Sequence, residues 1–264
     1  MRRWLICAGL CFSMAASLRA QGSTNIDAQA VQVLRDACQY LAEAPFFSIT
    51  AEIWREHLTD AGQKVQFSRS MEMEVQRPNR FHTEVHSPHS QRGFWYDGQT
   101  LTILDRKRNL YSTTPAPANL DQAVDVARDQ FGIDLPMVDL AVSDPFTNAM
   151  ARVEAARDFG MAPAMGYLCH HLAFTQDNID WQIWIQDGPQ PLIRKLVITH
   201  KNEPGSPEFT GLIREWNLIS RIAPSDFAFV PPAGAAKVQM RNDATESGGN
   251  AGLKPTGATG RQER

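Results

Sequence analysis

The chain of 264 residues has a formal net charge of −3, with 43% hydrophobic and 9% aromatic residues. This apolar content is sufficient for a packed core and excludes an intrinsically disordered protein. The mildly acidic charge, without a cluster of Lys and Arg, argues against nucleic-acid binding, which needs basic side chains to replace counterions.

The first 20 residues have the order of a secretory signal peptide. Arg2 and Arg3 precede an apolar run over residues 4–18, and Ala20 supplies the small residue that cleavage requires. The apolar run is shorter than a membrane span and lies at the very start of the chain. We therefore expect export to the periplasm, with no integral membrane segment after signal removal.

Two cysteines remain after the predicted cleavage. Cys38 falls in a helical pattern and Cys169 in a strand pattern. An oxidising compartment permits a disulfide between them, but sequence spacing does not define the distance between their α-carbons. A disulfide and two separate buried thiols both remain open.

Periodicity divides the remaining chain into a helix, a block of strands, two helices and a second block of strands. Apolar residues at helical spacing predict a first helix over residues 25–44, which Pro45 ends. Period-two alternation then predicts antiparallel strands at 47–53, 65–76, 81–85, 93–96, 100–104 and 109–113.

The two central helices carry recognisable caps. Asn119 precedes an apolar stripe that Gly132 terminates, and Asp144 with Pro145 opens a shorter helix. These helices, lying between two blocks of strands, can cover the open face of a sheet. The second block is predicted to begin near Glu154, with strands at 167–175 and 209–219 and a hairpin at 178–201 between them.

The segment 178–201 is the clearest β-hairpin in the sequence. Ile179, Trp181, Ile183 and Ile185 alternate with polar residues, the turn is Asp-Gly-Pro, and residues 192–199 form the return strand. Trp184 breaks the alternation. After residue 240 the chain is rich in Gly, Asn, Ser and Thr, which predicts a single domain over 21–240 and a disordered tail over 241–264.

Several of these segments together resemble a bacterial family of predicted periplasmic proteins, domain of unknown function 2092. The motifs that carry the resemblance occur in the family's order, over about residues 27–240. They are Phe94-Trp95-Tyr96-Asp97-Gly98, Ser143-Asp144-Pro145, Cys169-His170-His171-Leu172, the strand 180–185, Arg194-Lys195-Leu196, and Phe227-Ala228-Phe229 before Pro231-Pro232.

The family is similar in fold to the LolA, LolB and LppX lipoprotein carriers. The resemblance implies an α+β fold, in which a strongly curved antiparallel sheet, an incomplete β-barrel, is covered by a few helices over an apolar cavity. It also implies a binder of lipids or acyl chains, although a fold does not fix a function.

Such a cavity would be lined by apolar residues on one face of the strands and on the helices that cover them. Acyl chains gain about 0.8 kcal/mol per buried methylene, and Met adapts to flexible chains. The candidates on the strands are Ile49, Ile53, Met71, Met73, Ile183, Ile185 and Leu196, and those on the helices are Val124, Phe131 and Phe146. The same residues would equally form a filled core.

No sequence pattern indicates catalysis, a cofactor or a metal ion. His82 and His86 point to the same face of a strand but lie about 13 Å apart, too far to share one ion. Asp134, Asp139 and Asp144 match no calcium-loop spacing. Nucleophile elbows, phosphate loops and zinc motifs are missing from the sequence, so we expect a protein that is not an enzyme.

Three functional hypotheses follow. The first is an exported carrier or sensor of a lipid or acylated ligand, the second a domain that binds another envelope protein, and the third an unrecognised hydrolase. The first predicts an apolar cavity, the second a filled core with an exposed apolar patch, and the third a polar pocket. Arg194 and Lys195 could meet a ligand headgroup, but a solvated position is the simpler interpretation.

Overall fold

The computed structural model describes residues 25–133 and 135–239. The predicted signal peptide, the predicted tail and Asp134 lie outside these residues. Within them, the predicted fold class is confirmed: one antiparallel sheet curves around a small number of helices.

Among residues 25–133 and 135–239, three helices form where the sequence pattern places them, although α1 is shorter than predicted. They are α1 (Ala28–Ala42), α2 (Leu120–Phe131) and α3 (Pro145–Met150). Each begins at a side chain that accepts a hydrogen bond from a backbone N–H of its first turn, namely Asp27, Asn119 and Asp144. Gly132 ends α2 in the left-handed conformation, at φ 59°. Short 3₁₀ turns follow at Val138–Leu140 and Pro224–Phe227.

Twelve strands form in the described part of the chain. The first six are β1 (Phe46–Leu58), β2 (Lys64–Gln76), β3 (Arg80–His86), β4 (Gln91–Tyr96), β5 (Thr100–Asp105) and β6 (Leu110–Pro115). The second six are β7 (Ala155–Ala164), β8 (Tyr167–Thr175), β9 (Ile179–Gln186), β10 (Ile193–His200), β11 (Glu208–Asn217) and β12 (Ala236–Lys237).

All twelve strands belong to one sheet, in the order β12-β6-β5-β4-β3-β2-β1-β11-β10-β9-β8-β7. The two blocks of the sequence join where β1 pairs with β11, and every pair is antiparallel except β12 with β6. The sheet is open, with β12 and β7 as its edges. Register shifts in the β1–β11, β7–β8 and β9–β10 pairs are bulges that help the sheet to bend.

The helices lie on one side of the curved sheet, which we call the inner face. Residues paired across the strands share a face, so Phe47, Ile49, Ala51 and Ile53 of β1 define it. Its apolar side chains and those of α1 and α2 form one contiguous buried cluster. The opposite side, the outer face, carries the polar residues that alternate with them.

Candidate functional site

The strand residues proposed to line a cavity all lie on the inner face. Register places Ile49 beside Met73, Ala51 beside Met71 and Ile183 beside Leu196. Six of these seven residues are buried, and Leu196 is half-buried and packed against them. The buried six are Ile49, Ile53, Met71, Met73, Ile183 and Ile185. The structure therefore brings the predicted wall together in one apolar surface that spans β2, β1, β11, β10 and β9.

The predicted helix residues cover this wall from above. Val124 and Phe131 lie on the buried stripe of α2, and Phe146 of α3 packs partly buried against the same cluster. Phe146 also lies under the guanidinium of Arg35 in α1, 3.8 Å from the ring centre. We call α2, α3 and the loop between them, residues 132–144, the lid.

The lid loop crosses the middle of the inner face. Gly211 lies beside Ile53 on one neighbouring strand and Leu196 on the other. A β-carbon at Gly211 would meet the Met137 sulfur at 3.2 Å, so the missing side chain leaves room for the loop to approach the sheet. Met137 itself has a positive φ of 58° and is buried. The contact fixes the loop above the centre of the wall.

Arg77, which the sequence analysis did not single out, connects the lid to the sheet. Its Nη1 donates to the carbonyls of Ala141 at 2.7 Å and Val142 at 2.8 Å. Its Nη2 donates to Leu140 at 3.3 Å and Leu41 at 3.4 Å. One side chain at the end of β2 thus holds the lid loop and the end of α1 together.

The Arg77 side chain is half-buried. Burial lowers the pKa of its guanidinium, and the charge of Asp121 partly opposes that effect. The Nε atom is buried and has no hydrogen-bond partner within the described residues. Asp121 in turn accepts from the backbone N–H of Ser143 at 2.9 Å, which ties α2 to the end of the lid loop. Because carbonyl groups are the main partners of this half-buried charge, the Arg77 hydrogen bonds depend on the position of the lid loop.

The outer face explains the break in the hairpin pattern. Trp184 points outward, stacked on His171 with ring centres 4.1 Å apart, and the ammonium of Lys195 lies 4.3 Å from its ring centre. Arg194 is only 5% exposed, donates to Gln186 at 3.0 Å and lies over Tyr167. The interpretation of Arg194 as solvated was therefore wrong, because an aromatic ring and an amide enclose it.

His82 is also on the outer face, between two carboxylates. It lies 3.2 Å from Glu74 and 3.4 Å from Glu84, and it stacks on Trp95. Burial alone would lower the His82 pKa, but hydrogen bonds and charge from both carboxylates raise it to about 9. Burial would raise the Glu84 pKa, but His82 and Arg106 lower it to about 2. The cluster is an ion-pair network that holds neighbouring strands together.

Among the described residues, the possible metal ligands form no metal site and the two cysteines, Cys38 and Cys169, form no disulfide. No group of three or more His, Cys, Asp or Glu among the described residues could hold a metal ion. Cys38 and Cys169 are both free and buried, so the disulfide alternative is wrong for this structure. Cys38 belongs to the inner cluster and Cys169 to a small outer one, and burial raises the Cys38 pKa to about 12.

None of the described helices combines the length and apolar character that would let it cross a membrane.

Taken together, an open curved sheet, an apolar inner face and a helical lid define the class of lidded half-barrel domains. The profile of one family, predicted periplasmic protein DUF2092, matches residues 30–241. The chain belongs to this family, and the expected periplasmic location is confirmed.

Several solved structures of similar fold align with three quarters or more of this chain. An uncharacterized conserved protein from Thermus thermophilus is 10% identical with a TM-score of 0.48, over 80% of this chain and 99% of that one. The lipoprotein LppX from Mycobacterium tuberculosis is 10% identical with a TM-score of 0.46, over 75% and 100%. A LolA superfamily protein from Nitrosomonas europaea is 8% identical with a TM-score of 0.38, over 76% and 97%. No curated protein matches the chain significantly.

Proposed function

We propose that this protein is a periplasmic binding protein that carries or senses an apolar ligand, a lipid or an acyl chain, against the inner face of its sheet. The observation that supports this proposal is the continuous apolar surface beneath the lid, which consists of two helices and the loop between them. Two methionines, Met71 and Met73, lie fully buried in that surface. Their unbranched side chains can rearrange around a flexible chain at little cost.

Ligand entry would require the lid to move away from the wall. The lid loop is held by carbonyl groups that Arg77 binds and by the contact of Met137 with Gly211. Apart from the short 3₁₀ turn, this loop has no regular hydrogen-bonded structure of its own among its described residues, so it can separate from the sheet without unfolding a helix. Each methylene of an incoming chain would then contribute about 0.8 kcal/mol by burial.

The proposal treats the protein as a binder and not as an enzyme. A hydrolase would need a base and a nucleophile beside the ligand. His82 lies with its carboxylate partners on the outer face. On the inner face His170 is the cross-strand partner of Ile185 and lies 3.4 Å from Asp187, but the wall residues themselves form an apolar cluster. This arrangement favours binding of an apolar chain over chemistry on it.

One observation favours the second hypothesis, binding of an envelope protein. Strand β7 is an edge of the sheet, and apolar side chains are exposed on β7 and β8. They are Phe159 (63% exposed), Met161, Tyr167 and Leu168 (57%). Ile26 forms a parallel bridge to this edge at Ala156, and the exposed apolar residues beyond that bridge suit a partner that adds an extended strand.

Native mass spectrometry of protein purified from the periplasm without detergent tests the proposal. We expect a co-purifying lipid or acylated molecule, which organic extraction releases for identification. Replacing Leu196 by Trp, which fills space on the inner face, should remove the bound mass. The matched outer-face variant Glu72→Trp should retain it.

A clean unliganded mass, under conditions that keep lipid on a known carrier, would contradict the proposal. In vivo cross-linking distinguishes the second hypothesis. A protein adduct that is lost in a Phe159→Ser/Leu168→Ser variant would move the function from ligand carriage to partner binding.

A further inference from the structure

A groove of about 600 Å³ opens at one end of the inner face, at the opposite end of the strands from Arg77. Strands β1, β2, β4 and β5 reach it, together with the turns that follow β3 and β5. Side chains that define it include His57, Phe67, Arg69, Arg92, Lys107 and Arg108. None of these residues was among the predicted site residues.

The groove continues the apolar wall along the same strands. Arg69 is the cross-strand partner of Ile53, and Arg92 is the partner of Val85, which itself pairs with Met71. Paired residues share a face of the sheet, so these guanidinium groups lie on the inner face at the limit of the apolar surface.

An exposed aromatic side chain lies on this same face within the groove. Phe67 is 48% exposed and meets His57 edge-on, with ring centres 5.4 Å apart. A molecule lying along the inner face would pass from apolar side chains to basic ones within a few residues.

The groove carries an excess of positive charge. Its described lining contains four Lys or Arg side chains and a single carboxylate, Asp105. Asp105 is only 9% exposed, and it accepts the backbone N–H of Arg108 at 3.0 Å while the Arg108 Nε lies 3.9 Å away.

Two of the four cations retain donors for a ligand. Arg92 lies opposite Asp105 in the sheet, and within the described residues it forms no ion pair with that carboxylate, whereas Lys107 donates to the carbonyl of Pro88. An ammonium has three donors and a guanidinium five, so both side chains can bind further acceptors. Guanidinium and ammonium groups together suit a phosphate or carboxylate.

We propose that this groove binds the anionic group, a phosphate or carboxylate, of an amphiphile whose chain lies along the apolar wall. This inference rests on the proposed function and specifies its ligand class. The apolar wall alone would accept any chain, and the groove adds a preference for a charged end.

Isothermal titration calorimetry of the delipidated protein tests the preference. The probes are oleoyl lysophosphatidic acid, a neutral alkyl glycoside and inorganic phosphate, each used below any critical micelle concentration. The double variant Arg92→Gln/Lys107→Gln removes two of the groove cations. Arg152→Gln, an exposed arginine after α3, is the matched control, and Arg92→Lys/Lys107→Arg retains the charge.

We expect the double variant to bind the lysophosphatidic acid about tenfold more weakly than the natural sequence does, with affinity for the glycoside unchanged. The control and the charge-retaining variant should bind both amphiphiles as the natural sequence does. Circular dichroism confirms that the variants are folded.

Three results would overturn the inference. If the double variant keeps full affinity for the lysophosphatidic acid while both amphiphiles bind, the groove is not the headgroup site and the proposed function stands. If inorganic phosphate binds as tightly as the amphiphile, the groove is a site for free anions. If neither amphiphile binds, the proposed function fails together with the inference.

Discussion

The two faces of the sheet are built in different ways. The inner face is a continuous apolar surface in which residues such as Met73 and Ile185 have no exposed area. The outer face is held by pairs and stacks, among them His82 with Trp95 and Trp184 with Lys195. The strands therefore gain stability on both sides, but only the inner side has a surface that matches an apolar ligand.

The largest expected difference between the two faces is in the free energy of unfolding, and it compares substitutions at two neighbouring residues of β2. Met73→Ala should lower the free energy of unfolding by about 2–5 kcal/mol, because it removes a buried side chain and leaves a cavity. Glu72→Ala, which changes the exposed side of the same strand, should alter it by less than about 0.5 kcal/mol. Urea unfolding of both variants measures the contrast, and equal losses would show that the faces are not distinct.

The next largest effect on the free energy of unfolding is expected at Arg77, which connects the lid loop to the sheet. Arg77→Met removes a donor from four carbonyls, of which that of Leu41 also accepts from the Ala44 N–H. We expect a loss of about 2–4 kcal/mol in unfolding free energy, since the carbonyls of the lid loop lose this donor. Hydrogen–deuterium exchange of residues 135–142 should become faster. Arg80→Met, in the neighbouring strand, is the control and should leave that exchange unchanged. Unaltered exchange in Arg77→Met would show that the lid is held by other contacts.

On the outer face we expect a smaller effect on the free energy of unfolding, and this effect depends on pH. The His82 pKa is raised to about 9, so its stabilising charge is fully present below the unfolded value near 6.5 and is lost as pH rises through 9. The Glu84 pKa is lowered to about 2, so its contribution is present above the unfolded value near 4.5 and is lost as pH falls through 2. The network is therefore complete between about pH 4.5 and 6.5.

His82→Gln should lower the free energy of unfolding by about 1–3 kcal/mol at pH 6, since it removes a charge-assisted pair. Urea unfolding at pH 6 and pH 10 measures this difference, which should shrink at the higher pH. A penalty that is equal at both pH values would mean that the imidazole stabilises through stacking on Trp95 and not through charge.

The residues of the inner face could be predicted from the sequence because each strand and helix has its own periodic pattern of apolar residues. Alternation along β1 and β9 and the caps of α2 and α3 determine which residues point inward, and the structure places all ten predicted residues in or against one apolar cluster. The break at Trp184 also has a local cause, because this residue belongs to the outward-pointing set and is covered by its cross-strand neighbours.

The contacts that organise the ends of the inner face could not be predicted in this way. Arg77 lies in a turn-like segment with Pro78, and its partner carbonyls are 36 to 65 residues away along the chain. The basic groove likewise collects side chains from four strands and two turns, each of which looks like an ordinary surface residue in its own segment. Only the register of the folded sheet brings them together.

Quenching of tryptophan fluorescence by a brominated fatty acid tests most directly whether a ligand occupies the inner face. Trp181 and Trp216 lie on that face, whereas Trp95 and Trp184 lie on the outer one. Bromine quenches only indoles that it approaches closely. We predict that the Trp95→Phe/Trp184→Phe variant keeps the quenching of the natural sequence and that Trp181→Phe/Trp216→Phe loses it. Quenching that persists without the two inner tryptophans, or no quenching in any variant, would contradict binding of an acyl chain beneath the lid.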